Sequence, residues 1–339
     1  MTPLDGVDAW RDGMRRVARG PAILISVWLV TTLVSVPLAL SIRGELMSHL
    51  GSSLAAESAA QGVNYEWMQE FADQATGLGA TFRPTVIGFG AVLDNLSAFM
   101  DNVSRPVVVA GAAAAYMLVW LFLAGGIIDR YARDRAVPAH HFFSVSGGFF
   151  FRFIRLAILM GAVYGLLFGY LHPWMFDRVY PRLIRNISVE RTAFMIRASL
   201  YLAFGLLLAA ANLIFDYAKV RAVVEDRRSV WGAVAAAMQF VRGNASAAVG
   251  VYALNVAVFG VALALYAVFA PPAGGAGWTM WAGFAVGQVY VLLRLWVKLT
   301  FWASETSMFQ SRLAHAGYVA SHAPAWPDSP TAEALRIAR

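Results

Sequence analysis

Arg294, Lys298 and Glu305 are spaced by four and then seven positions at the end of an apolar run, which sets them along one stripe of a helix. An ionised side chain at the centre of the hydrocarbon costs on the order of 2.5–3.5 kcal/mol on insertion scales. Such residues therefore mark polar sites by default, and two cations one turn apart suit an anionic headgroup. Arg294, however, lies ~24 Å along the helix from Trp278, near the far edge of a span. There both cations can snorkel to the headgroups or pair with Asp216, Glu225 or Asp226. Arg227 and Arg228, just before Ser229, are placed to meet lipid phosphates. Asn212, Asn255 and Gln288 either line a polar path or bond between helices.

Other chemistry is scarce. There is no cysteine, which excludes thiolate catalysis, disulfides and cysteine metal sites. No glycine-rich phosphate loop, H-E-x-x-H or G-x-S-x-G occurs. His140 and His141 are adjacent and so point away from a common helix face. No metal, cofactor or catalytic residue is assigned. An interfacial enzyme would have to use His140, His141 or Glu225, and that is the third reading.

The elements that must position these residues follow from composition. Hydrophobic residues make up 59% and charged residues 14% of the 339, with a mean hydropathy of +0.59. A soluble domain carries roughly 25% charge, so an all-α polytopic membrane protein is expected. Six stretches reach the ~20 residues that cross a bilayer: 21–42, 106–128, 154–172, 198–215, 245–270 and 278–304. The organisation read from these is a cytoplasmic amphipathic helix over 1–20, a six-helix domain over 21–304 and a cytoplasmic tail over 305–339. The net charge of +7 is spread among the flanks of the spans. It therefore serves orientation, and nucleic acid is not expected as a partner. Most basic residues fall on one side when both termini are cytoplasmic, with the basic loop 173–197 as the exception. The arginine and alanine usage suggests a bacterial chain, hence the inner membrane.

"YARDRAV" at 131–137 returns as "YAKVRAV" at 217–223. Each follows an apolar helix and an aspartate, Asp129 or Asp216. This predicts a parallel internal repeat, with the heptad as the repeated elbow of a helical hairpin and an interfacial amphipathic helix after it. In the second copy Ser229 is a suitable N-cap. Trp10, Met14 and Val17 give the N-terminal segment a similar amphipathic face. Gly161, Gly165 and Gly169, and the shorter pair Gly283 and Gly287, are spaced for close helix packing. The segment 43–105 is expected to form an outer helical cap. Its run 85–100 is too short to span and reads as re-entrant or interfacial.

Asp216, Tyr217, Ala218, Arg221, Glu225 and Arg227, within "FDYAKVRAVVEDRRSVWGAVAAAMQFVRGN", carry a resemblance over about 106–310. The pattern resembles a loose group of six-helix bacterial membrane proteins, and also the membrane domain beside the catalytic domain of some glycerophosphodiester phosphodiesterases. No such catalytic domain is read in these residues, so the resemblance implies the fold and not the activity. The function expected first is a non-enzymatic scaffold or accessory subunit, partnered by membrane lipids and other subunits of a membrane complex. The alternative is a lipid or small-molecule transporter that uses the repeat interface, with Arg294 and Lys298 meeting an anionic headgroup.

Overall fold

A chain segment buried in hydrocarbon must satisfy its own backbone groups, and a helix does so within itself. The computed structural model describes residues 3–51, 53–61, 64–83, 88–270 and 277–312. Among them, six helical stretches are long and apolar enough to cross a membrane, and no strand occurs. The helices in chain order are α1 (Gly6–Ala18), α2 (Pro21–Leu50), α3 (Ala56–Gln61), α4 (Tyr65–Gln74), α5 (Phe89–Met100) and α6 (Val107–Arg133). They continue with α7 (Ala139–Leu166), α8 (Tyr180–Ile184), α9 (Glu190–Val224), α10 (Val230–Gly243), α11 (Ala245–Phe269) and α12 (Trp278–Arg312). Two π-helical turns, Leu167–Leu171 and Trp174–Val179, carry α7 into α8.

Burial is concentrated at one end of the bundle, here called the base. Ile127, Ile128 and Tyr131 of α6, Tyr217 and Val220 of α9, and Leu299, Met308 and Phe309 of α12 are fully buried together. Toward the other end large apolar side chains such as Leu33, Leu202 and Val268 are exposed, as lipid-facing residues are.

The base is closed by α1. Asp5 caps it by accepting from the Asp8 N–H at 2.7 Å. Its buried face of Ala9, Gly13 and Val17 lies on α12. A Cβ on Gly13 would stand 2.6 Å from the Ser304 backbone, so only glycine permits this approach. Arg16 donates to the Tyr131 carbonyl at 2.7 Å and to Gln310 Oε1 at 2.8 Å, and Ser307 donates to Asp12 at 2.6 Å. α1 is thus docked on the bundle by both its apolar and its polar side.

Several expectations change here. α12 runs to Arg312, so 305–312 is helix rather than tail, buried through Phe309; 313–339, with the proline-rich stretch, lies outside the described residues. The expected loop 173–197 is almost all helix, leaving only 185–189 between α8 and α9. The region 139–153 is the start of α7 and not a separate interfacial helix. Its counterpart is separate: α10 ends at Gly243 before α11, and Ser229 caps it by accepting from the Gly232 N–H at 3.2 Å.

The two heptads also differ in structure. Residues 131–137 run through the end of α6, whereas 217–223 lie wholly inside α9, so the doubled letters are not two copies of one turn. What both helix ends share is a left-handed aspartate, Asp134 (φ 47°) and Asp226 (φ 49°). Aspartate adopts this region more readily than most residues. Each is held by an arginine, Arg19 at 2.8 Å and Arg152 at 2.5 Å.

At the end opposite the base, Trp67, Met68 and Phe71 of α4 bury themselves against Leu46 and Leu50 of α2. α5, a helix of 12 residues, is ~18 Å long and cannot cross a bilayer.

Candidate functional site: a cationic cavity between the helices

Where the helices diverge from the base they enclose a cavity of about 570 Å³ among α6, α7, α9, α11 and α12. Small-molecule sites span ~300–1,000 Å³. Tyr116, Trp120, Phe153, Tyr252 and Trp302 give it aromatic walls. Its charge comes from Arg294, Lys298, Lys219 and Asp216. Arg294 and Lys298 share a face of α12 because they are one turn apart. Asp216 and Lys219 are likewise one turn apart on α9 and form an ion pair at 2.7 Å. With Asp216 so engaged, the lining carries an excess of positive charge.

Lys298 rests against two indole rings. Its Nζ lies 3.4 Å from the centre of the Trp120 ring and 5.8 Å from that of Trp302, and Lys219 also lies 5.8 Å from Trp302. A cation within ~6 Å of an aromatic face is attracted by the ring quadrupole. The two indoles, 5.6 Å apart and nearly perpendicular, therefore hold two ammonium groups at the floor of the cavity. Arg294 sits higher and is exposed to the space.

The pairing expected for these cations is not the one found. Neither Arg294 nor Lys298 forms an ion pair with Asp216, Glu225 or Asp226: Asp216 is taken by Lys219, Glu225 by Arg221 and Arg227, and Asp226 by Arg152. Arg227 and Arg228 lie at the loop after α9, away from the cavity, and Arg227 is occupied with Glu225. Burial pushes the Glu225 carboxyl up, but hydrogen bonds and charge from Arg221 and Arg227 outweigh it and hold the group below its ordinary value.

Asn212, Asn255 and Gln288, the polar residues singled out inside the spans, each have an interhelical partner. Tyr164 donates to Asn212 at 2.9 Å on the cavity wall, Asn255 donates to Ser304 at 2.9 Å, and Trp28 donates to Gln288 at 2.9 Å. His141 faces Asp129 at 3.4 Å, and no group of three metal-ligating side chains converges among the described residues.

The glycines behave differently from their expected role. A Cβ on Gly161, Gly165, Gly169 or Gly287 would meet no other atom within 4 Å among the described residues, so no described helix packs on them. Gly161 instead lines the cavity, and Gly283 stands one turn before Gly287 on α12. Close packing is made by Gly13, and by Gly125 and Gly126, whose added Cβ atoms would fall 2.9 Å from Phe149 Cβ and 2.5 Å from Ser146 Oγ.

Two residues of the cavity, Lys219 and Trp120, are not among those expected from the sequence. A heptad taken as an elbow hides Lys219, although its place three residues after Asp216 on one helix is the available signal. Trp120 carried no signal short of the fold. Compared with protein families, characterised proteins and solved structures, the chain matches none.

Proposed function

We propose that the protein binds an anionic molecule within the membrane and carries or presents it there, rather than catalysing a reaction. The observation that supports this most is the convergence of Arg294, Lys298 and Lys219 on one aromatic-walled cavity with a single, already paired carboxylate. Cations held in a low-dielectric setting attract an anion far more strongly than in water. Charged residues in spans face such cavities when they mark a ligand path. The test is the double variant Arg294→Leu/Lys298→Leu, purified beside the wild type and analysed by native mass spectrometry after exchange into phosphatidylglycerol or phosphatidylcholine. Wild type should retain phosphatidylglycerol selectively and the variant should not. Equal retention by both would remove the reading.

A second reading, a scaffold or accessory subunit of a membrane complex, draws on α7. Gly165 and the π-turn residue Gly169 offer an unoccupied small-residue surface beside the exposed Ile158 and Leu166, the kind of surface a partner helix uses. A stoichiometric protein partner in gently extracted membranes would support it, and a lone chain would not.

A further inference from the structure

The cavity does not end at Arg294. A second chamber, about 1320 Å³ and widely open to its surroundings, lies beneath α5 between α11 and α12, and both spaces are lined by Arg294 and Phe259. Its walls include Leu96, Phe99, Leu263 and Val291. Most of the polar groups that border it are already partnered. Asn102 donates to the Phe168 carbonyl at 3.0 Å, Gln288 accepts from Trp28, and Arg105 holds Asp94 and Asn95, each at 3.1 Å. Arg294 stands at the junction beside the Tyr290 hydroxyl, with which it shares a hydrogen bond, as a lining cation outside the ion pairs.

α5 crosses this chamber as a strap fixed at both ends. At its start Phe89 meets Tyr266 of α11, ring centres 6.2 Å apart. At its finish Phe99 meets Phe168 at 5.1 Å, and the Met100 carbonyl oxygen lies 2.8 Å from His172 Nε2. The π turns that follow α7 bring Phe168 and His172 to this anchor.

We infer that the ligand is a lipid whose anionic headgroup sits between Arg294 and Lys298 while an acyl chain lies in the chamber beneath α5. This rests on the reading proposed above and names its ligand class. Charge is gathered at the inner end and the remaining lining is largely apolar or internally satisfied, which is the polarity of a headgroup with its tail. A water-soluble anion would use the inner cavity alone. Because lipid tails already lie in hydrocarbon, the chamber gains little hydrophobic free energy from the tail and instead selects for its presence and shape.

The experiment uses the full chain and phosphatidylglycerol. Retention is counted by native mass spectrometry, with competition by glycerol 3-phosphate, which has the charge and no tail. Ala91→Trp on α5 and Leu263→Trp on α11 fill the chamber from opposite walls, so a folding defect in one leaves the other to decide. Arg294→Leu removes the junction cation. Phosphatidylglycerol retention should fall at least tenfold in all three variants, and glycerol 3-phosphate should fail to displace the lipid. If both tryptophan variants, folded, retain lipid as the wild type does while Arg294→Leu loses it, the tail lies elsewhere; the chamber assignment falls and the anion site stands. Displacement by glycerol 3-phosphate at the lipid's own concentration has the same meaning. If Arg294→Leu and the Arg294/Lys298 double variant also retain lipid, both readings fall together.

Discussion

The Lys298 ammonium rests 3.4 Å above the centre of the Trp120 indole, a neutral partner that an incoming anion can replace. Hydrogen bonds to charged groups contribute roughly 1.5–3 kcal/mol, and 1.4 kcal/mol is tenfold in affinity. Lys298→Met should therefore weaken phosphatidylglycerol binding about ten- to a hundred-fold and leave phosphatidylcholine binding unchanged. A lipid titration of both variants in nanodiscs checks this, and an equal loss for the two lipids would point to a general collapse of the cavity.

Gly13 and Gly165 make a contrasting pair. An alanine at 13 must displace the Ser304 backbone, and overpacking of this kind costs about 1–3 kcal/mol. At 165 the added methyl meets nothing. Thermal unfolding in detergent should show Gly13→Ala clearly destabilised and Gly165→Ala equal to or slightly above the wild type, since alanine favours helix over glycine. The reverse order would mean that α1 does not dock on α12.

Glu305 is fully buried and neither carboxylate oxygen meets a donor. A buried polar group left unsatisfied costs about 1–3 kcal/mol. Glu305→Met, close in size and apolar, should raise the thermal midpoint by a corresponding amount. A lowered midpoint would show that the attraction of the nearby Lys219 exceeds the cost of burial.

Asp101, outside the spans, is held below its ordinary value of 3.8 chiefly by the Tyr201 hydroxyl, with Ser97 and Arg197 adding to the effect and burial opposing it. A depressed carboxyl stabilises the fold fully above its unfolded value, and that contribution is lost as pH falls through the folded one. The contact between Asp101, at the end of α5, and Tyr201 of α9 should therefore loosen as pH drops from about 4 downward. Tyr201→Phe should flatten the acid limb of a stability–pH curve, because the folded and unfolded values then converge. An unchanged limb would place the acid sensitivity elsewhere.

Hydropathy was enough to find all six long helices, because a run of twenty apolar residues has few other places to go. It failed where polar residues are buried by polar contacts. Ser307 and Gln310 read as the start of a tail, yet their bonds to Asp12 and from Arg16 come from a helix some three hundred residues earlier. Spacing found Arg294 and Lys298 on one face, since that needs only the helical period. It did not find Trp120 or the separate engagement of Asp216, because both depend on which helices become neighbours. The glycine ladder misled for the same reason: small residues permit close approach, but a second helix must be there to make it.

The uneven burial described for the bundle has a mechanical consequence. With α1, α6, α9 and α12 interlocked at one end and lipid-facing apolar surface dominating the other, the helices are clamped at the base like cantilevers. Amide exchange should be slowest from Tyr217 to Val224 and from Leu295 to Phe309, and fastest in α5 and its neighbours. Pressure from the surrounding lipid would then bend the far ends first, widening or narrowing the space under α5 without disturbing the clamp.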